Sequence, residues 1–172
     1  VLADRDFPIN KLKLRSYKRS AGKKITFKDK EYFVEEAKPE SFYQVDIAFF
    51  SAGGNVSRKL AHEAVKQGTV VIDNTSAFRM DPETPLVVPE VNASELKNHK
   101  GIIANLNCST TQMVVALEPL RAQFGLSKVI VSTYQAVSGA GVEAIDELYE
   151  ESKLLMEGEE INPQVLPVSS DE

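Results

Sequence analysis

The sequence has a single cysteine, Cys108, and two histidines, His62 and His99, among 172 residues. One cysteine forms no internal disulfide, and so small a supply of Cys and His leaves no cluster from which a zinc-type site is built. No apolar run approaches the roughly 18 residues that a membrane-spanning helix needs. Long blocks of Lys and Arg are missing as well, and the net charge is −5, which argues against nucleic acid or an anionic membrane as partner. There is no internal repeat, no low-complexity tract and no Gly-x-Gly-x-x-Gly run. A hydrophobic content of 42% suffices for a substantial core, and a cytoplasmic globular protein is the simplest expectation.

Residues 1–8 read as the last turn of a helix with no start signal before it, which points to sequence upstream. Residues 12–17 alternate as a short strand, and residues 23–27 and 31–34 as a hairpin around Lys28-Asp29-Lys30. Residues 46–50 predict a buried strand and residues 57–67 a helix stopped by Gly68, followed by a strand over residues 69–73. Strand, helix, strand in that order predicts parallel pairing through a crossover helix. A Pro-containing loop over residues 74–89 is long enough to be functional. Beyond it come a short helix at 93–99, a strand at 102–104 and a helix opened by Ser109, with Pro119 predicting a bend or break. Residues 128–137 predict a further strand. An amphipathic helix follows, with Val142, Ile145, Leu148, Tyr149 and Met156 on one side, and then a polar tail from Gly158.

Cys108 stands where a strand-like run gives way to a helical pattern. A helix N-terminus stabilises a thiolate because its unpaired N–H groups and macrodipole favour negative charge, so a reactive thiol is expected there in preference to a buried, inert one. Ser51-Ala52-Gly53-Gly54 follows a strand and precedes a helix, the place where open α/β sheets bind nucleotides, although paired glycines also serve ordinary turns. Lys18-Arg19-Ser20 lies just beyond the first strand. An Arg with a hydroxyl there suits a ribose 2′-phosphate, and a solvated surface pair is the alternative. Arg79, flanked by Phe78 and Met80, is placed to bind phosphate or carboxylate through two parallel hydrogen bonds, or else to form a structural ion pair. His62 and His99 read as surface residues.

Five motifs occur together and in order: Ser51-Ala52-Gly53-Gly54; residues 71–80, which carry Asn74 and Arg79; residues 87–92; Asn107-Cys108-Ser109-Thr110; and residues 132–141, which carry Gln135, Ser138 and Gly139. In this combination the chain resembles the bacterial aspartate-β-semialdehyde dehydrogenase family over almost its whole length. The resemblance implies an α/β fold: a Rossmann-like parallel-sheet domain at residues 1–106, with its first strand and glycine-rich loop missing, and the start of an α/β catalytic and dimerisation domain at residues 107–172. It implies NADP as cofactor, bound by Arg19, Ser20, Ser51, Ala52, Gly53, Asn74, Ser138 and Gly139. Cys108 would be the nucleophile, with Asn107 beside it to stabilise an oxyanion; Arg79 would hold phosphate and Gln135 would orient the substrate.

The reaction so implied converts L-aspartate β-semialdehyde and phosphate to β-aspartyl phosphate through a cysteine thioester. Its reverse feeds lysine, threonine, methionine and isoleucine synthesis. A homodimer or homotetramer is implied for the full-length enzyme. The sequence departs from the family pattern at Leu106, where Pro usually precedes Asn-Cys, and at Tyr17, where a small residue is common near the 2′-phosphate. The family's substrate-binding Arg and acid/base His fall beyond Glu172, so the isolated chain is expected to be inactive. The alternatives are a truncated, non-catalytic cofactor-binding or dimerisation module, N-acetyl-glutamyl-phosphate reductase, and glyceraldehyde-3-phosphate dehydrogenase; the last two differ in the residues around their cysteine.

Overall fold

The computed structural model describes residues 2–5 and 7–166, with Arg19 described through its backbone alone. Val1, Asp6 and the end of the polar tail from residue 167 therefore lie outside the described residues. Two compact units divide after Leu126.

The first unit holds two three-stranded sheets. In one, β1 (Leu14–Ser16) runs parallel to β3 (Lys30–Glu36), and β2 (Lys24–Phe27) pairs antiparallel with β3 on its other side. The β2–β3 turn is the expected hairpin. Phe27 pairs with Lys30, and Lys28 and Asp29 between them take φ of 46° and 61°, the left-handed pair that matches strand twist in a tight turn. The other sheet is wholly parallel, in the order β4 (Ile47–Phe50), β5 (Val70–Asp73), β6 (Ile102–Ala104).

The crossover between β4 and β5 is α1 (Gly54–Lys66), which presents Ser57, Leu60, Ala61 and Ala64 to the sheet at helical spacing. It starts at Gly54 rather than Ser57, because Gly53 at φ 92° turns the chain directly from the strand end into the helix. Those residues pack with Phe42, Phe50, Val71, Phe78, Ile102 and Ala104 to form the core, and the rings of Phe42 and Phe50 stack at 5.5 Å. Gly101, at φ 104°, lies so close under α1 that a Cβ would come 2.5 Å from Val65 Cγ1. Only glycine fits there.

β1 and β4 are both edge strands, and both line one cleft of about 940 Å³, in which Ile47 and Phe49 are exposed.

After β6 comes α3 (Cys108–Phe124), preceded in the chain by the one-turn α2 (Pro89–Asn92) and a 3₁₀ segment, Ala93–Asn98, where a short helix was expected. Pro119 does not end α3, which continues to Phe124; the residue is exposed.

The second unit departs from expectation. Residues 128–137 form no strand: the run to residue 136 is exposed and has no regular structure, and a 3₁₀ turn, Val137–Ala140, follows. A strand exists only with a partner for its N–H and C=O groups, and among the described residues none pairs with this run. α4 (Val142–Glu157) forms as expected and ends at Gly158 in the left-handed conformation. Of its apolar side Val142, Ile145, Leu148, Tyr149 and Met156 are exposed, while Ala144 is buried. The Glu147 carboxylate accepts N–H bonds from Gln164, Val165 and Leu166, and Glu151 accepts one from Asn162, so the segment after α4 is strapped back along the helix. No helix among the described residues is long and apolar enough to cross a membrane.

Candidate functional site

The C-terminal ends of the parallel strands carry the polar residues of the first unit. β6 ends at Ala104, and Asn105, Leu106 and Asn107 lead into α3, whose first residue is Cys108. Asn107 is the helix cap: its Oδ1 accepts from Ser109 N–H at 3.0 Å and from the Ser109 hydroxyl at 2.6 Å, and lies 3.9 Å from Cys108 Sγ. Cys108 is exposed at the start of a 17-residue helix, so its sulfur sits at the positive end of that dipole. Leu106 adds a donor that proline lacks, since its N–H binds Asn105 Oδ1 at 2.9 Å.

Arg79 lies in the loop that follows β5, and its guanidinium is held by main chain. Nε donates to Asn105 O at 2.9 Å and one terminal nitrogen donates to Asn74 O at 3.3 Å. With that edge of the fork engaged by carbonyls, the opposite edge remains for a planar or tetrahedral anion. Asn74 and Asn105 also meet through their side chains, Nδ2 of Asn105 donating to Oδ1 of Asn74 at 2.8 Å. Asn74, Arg79, Asn105 and Asn107 thus gather where β5 and β6 end.

The turn Ser51-Ala52-Gly53 follows β4 and opens α1. At Gly53 the positive φ excludes ordinary side chains, and the Tyr17 hydroxyl lies 3.6 Å from where a Cβ would stand. The tyrosine at the end of β1 therefore reaches the glycine turn at the end of β4. Lys18–Ser20 form a 3₁₀ turn just beyond it, which contains Ser20 and the backbone of Arg19; the Arg19 side chain lies outside the described residues. The Arg58 guanidinium folds back over Gly54, 3.3 Å from its Cβ position, and donates to Asn55 Oδ1. Positive charge, a glycine backbone and the start of a 13-residue helix come together there, a chemical fit to a nucleotide phosphate.

Gln135, Ser138 and Gly139 belong to the second unit. Gln135 is exposed and its Nε2 donates to Thr133 Oγ1 at 3.1 Å; Ser138 and Gly139 lie within the turn Val137–Ala140. No group of three or more His, Cys, Asp or Glu suited to a metal ion occurs among the described residues.

Sequence reasoning missed Asp73, Ser57, Asn105 and Arg58. Asp73 is fully buried and accepts from the Ser57 hydroxyl at 2.7 Å, the Thr75 hydroxyl at 2.8 Å and the Thr75 N–H at 3.3 Å. Asp followed by Thr two positions later is a pattern for such a turn, so that part of the signal was present.

Comparison with known proteins assigns the chain. Residues 1–99 match the family described as Semialdehyde dehydrogenase, NAD binding domain, and residues 117–170 match Semialdehyde dehydrogenase, dimerisation domain. The aspartate-semialdehyde dehydrogenase of Bacillus subtilis is 63% identical over 171 residues, which is 99% of this chain and 49% of that protein. Among solved structures, Vibrio cholerae aspartate semialdehyde dehydrogenase II complexed with ASA superposes with a TM-score of 0.80 at 45% identity, covering 96% of this chain and 50% of that one. The Candida albicans enzyme solved with NADP gives a TM-score of 0.54 at 30% identity, covering 66% of this chain and 40% of that one. With these relatives, whose length it spans by about half, and with its parallel sheet and a helix that opens on the thiol, the chain belongs to the aspartate-semialdehyde dehydrogenase family.

Proposed function

We propose that this chain supplies the NADP-binding and thiol-bearing half of a phosphorylating aspartate-semialdehyde dehydrogenase, with residues 1–106 forming the cofactor domain and residues 107–172 beginning the catalytic and dimerisation domain. The observation that carries the reading is Cys108, exposed as the first residue of α3 and capped by Asn107. Beside that capped start, the Arg79 clamp draws on Asn105, the residue that leads into it.

Bound at the glycine turn, a nicotinamide cofactor supplies hydride exchange with the substrate carbon. Ser51, Ala52 and Gly53 would hold it through the backbone. Arg19 and Ser20 would read the 2′-phosphate, with Asn74 beside the strand ends, and Ser138 and Gly139 would contact the nicotinamide end through their backbone. The Candida albicans relative, solved with NADP, supports this choice of cofactor.

The protein's own chemistry is acyl transfer. Cys108 thiolate attacks the acyl carbon of β-aspartyl phosphate, the C–S bond forms, the C–O bond to phosphate breaks, and phosphate departs against Arg79. In the opposite direction phosphate attacks the thioester and Cys108 leaves as thiolate. Because Asn107 Oδ1 is engaged by the helix start, its NH₂ is the donor left for the oxyanion, and Gln135 would orient the substrate. The whole enzyme would act in the cytoplasm as a dimer or tetramer, in the synthesis of lysine, threonine, methionine and isoleucine.

The test separates half-reaction from turnover. Incubated with β-aspartyl phosphate, the chain should gain an aspartyl group on Cys108, removable by hydroxylamine and absent in Cys108→Ser, as read by intact mass. No adduct would overturn the thiol reading. Phosphate-dependent NADP reduction by the 172-residue chain should be undetectable; measurable turnover would refute the expectation that it is inactive alone.

A further inference from the structure

Asp73 is the most deeply buried acid of the first unit, and the chemistry above makes no use of it. Its three acceptor bonds come from Ser57 on α1 and from the hydroxyl and N–H of Thr75. The N–H of Thr75 belongs to the same planar peptide group as the carbonyl of Asn74, and that carbonyl is one of the two that hold Arg79. Fixing the N–H end of a rigid trans peptide fixes the direction of its C=O. The second carbonyl, Asn105 O, lies one peptide group beyond the Asn105 N–H, which donates to the main-chain O of Asp73 at 2.8 Å in a bond independent of the Asp73 side chain. One of the two acceptors of the Arg79 guanidinium, Asn74 O, therefore takes its position from the Asp73 carboxylate. Thr75 Oγ1 also accepts from Ala77 N–H at 3.1 Å and the Phe78 ring is buried in the core, so the loop is pinned up to the residue before the arginine.

We propose that Asp73 is a positioning residue: through Thr75 and the Asn74 carbonyl it aims the free edge of Arg79, and Ser57 holds the carboxylate in place from α1. The inference rests on the reading of Arg79 as an anion-binding residue only in its functional consequence; the positioning itself is a property of the hydrogen-bond network.

The experiment follows the Arg79 Nε–H by proton–nitrogen NMR, assigned by its loss in Arg79→Lys, with the Val71 amide, bonded to Gly101 O inside the sheet, as reference for global opening. In Asp73→Asn and Thr75→Val, Nε–H exchange should rise about tenfold. Val71 should stay protected, and Thr75→Ser, which keeps the hydroxyl, should restore slow exchange. Equal acceleration at Val71 and Arg79 would reduce the network to ordinary stability and overturn the proposal, as would unchanged Arg79 exchange. Should Asp73→Asn not fold, the Thr75 pair decides alone. Titration with inorganic phosphate is read separately: in wild type it should bind, and about tenfold more weakly in Thr75→Val. Absence of binding in wild type would sink the phosphate role of Arg79, while the exchange result would still decide the positioning claim.

Discussion

The two units carry similar apolar patterns and treat them in opposite ways. In the first, the periodic residues of α1 and the β-rich runs close on one another, and Val71, Ala61, Ala64 and Ala104 are fully buried. In the second, Ile130 is 90% exposed, Tyr134 fully so and Met156 89%, although residues 128–137 are rich in β-branched side chains and α4 is amphipathic. Hydrophobic period states which face a segment wants to bury; it does not supply the surface that buries it. The first unit contains its own counter-surface. The second presents faces that await one, in keeping with its match to a dimerisation domain.

Substitutions should expose this contrast, most strongly at Gly101. Gly101→Ala adds a Cβ 2.5 Å from Val65 in a backbone at φ 104° and should cost about 3 kcal/mol, read as a lower urea midpoint of the first unit. Gly158→Ala, at φ 79° with open space around it, should cost about 1 kcal/mol. Val71→Ala, at 0% exposure, should lose about 2 kcal/mol, whereas Ile145→Ala, at 44%, should lose under about 0.5 kcal/mol. Equal losses at Val71 and Ile145 would erase the distinction between the units.

Acid should loosen the segment strapped along α4. Burial raises the Glu147 pKa, but N–H bonds from Leu166, Gln164 and Val165 outweigh it and leave the pKa below the ordinary carboxylate value. A depressed acid stabilises the folded form above its unfolded pKa and loses that contribution as pH falls through the folded value. Hydrogen-exchange protection of the Val165 and Leu166 amides should therefore hold at neutral pH and vanish below the normal carboxylate range. Glu147→Gln should lower it at neutral pH and remove its dependence on pH. The smallest thermodynamic effect is expected from Ile130→Ser with Tyr134→Ser: the melting temperature should barely move, while self-association in sedimentation falls.

The same contrast explains what the sequence made legible. β4, α1, β5 and β6 were readable because their partners lie close in the chain, and local alternation and helical period coincide with the final burial. The run 128–137 was read as a strand from composition, but strandedness is a relation between two segments. At the site, Cys108, Asn107, Arg79 and the glycine turn were visible as residue types at strand ends. Asp73 was not, since its role arises only when β5 and β6 pair and bring Asn105 beside Asn74. Arg58 was hidden in a helix whose start was placed too late.

The central claim is that α3 presents Cys108 as a reactive nucleophile, and the most direct measurement is the rate at which iodoacetamide alkylates it at neutral pH, against glutathione under the same conditions. The account predicts labelling faster than glutathione by about tenfold, slowed when Asn107→Ala removes the cap. A rate at or below that of glutathione, unchanged by the loss of Asn107, would contradict it.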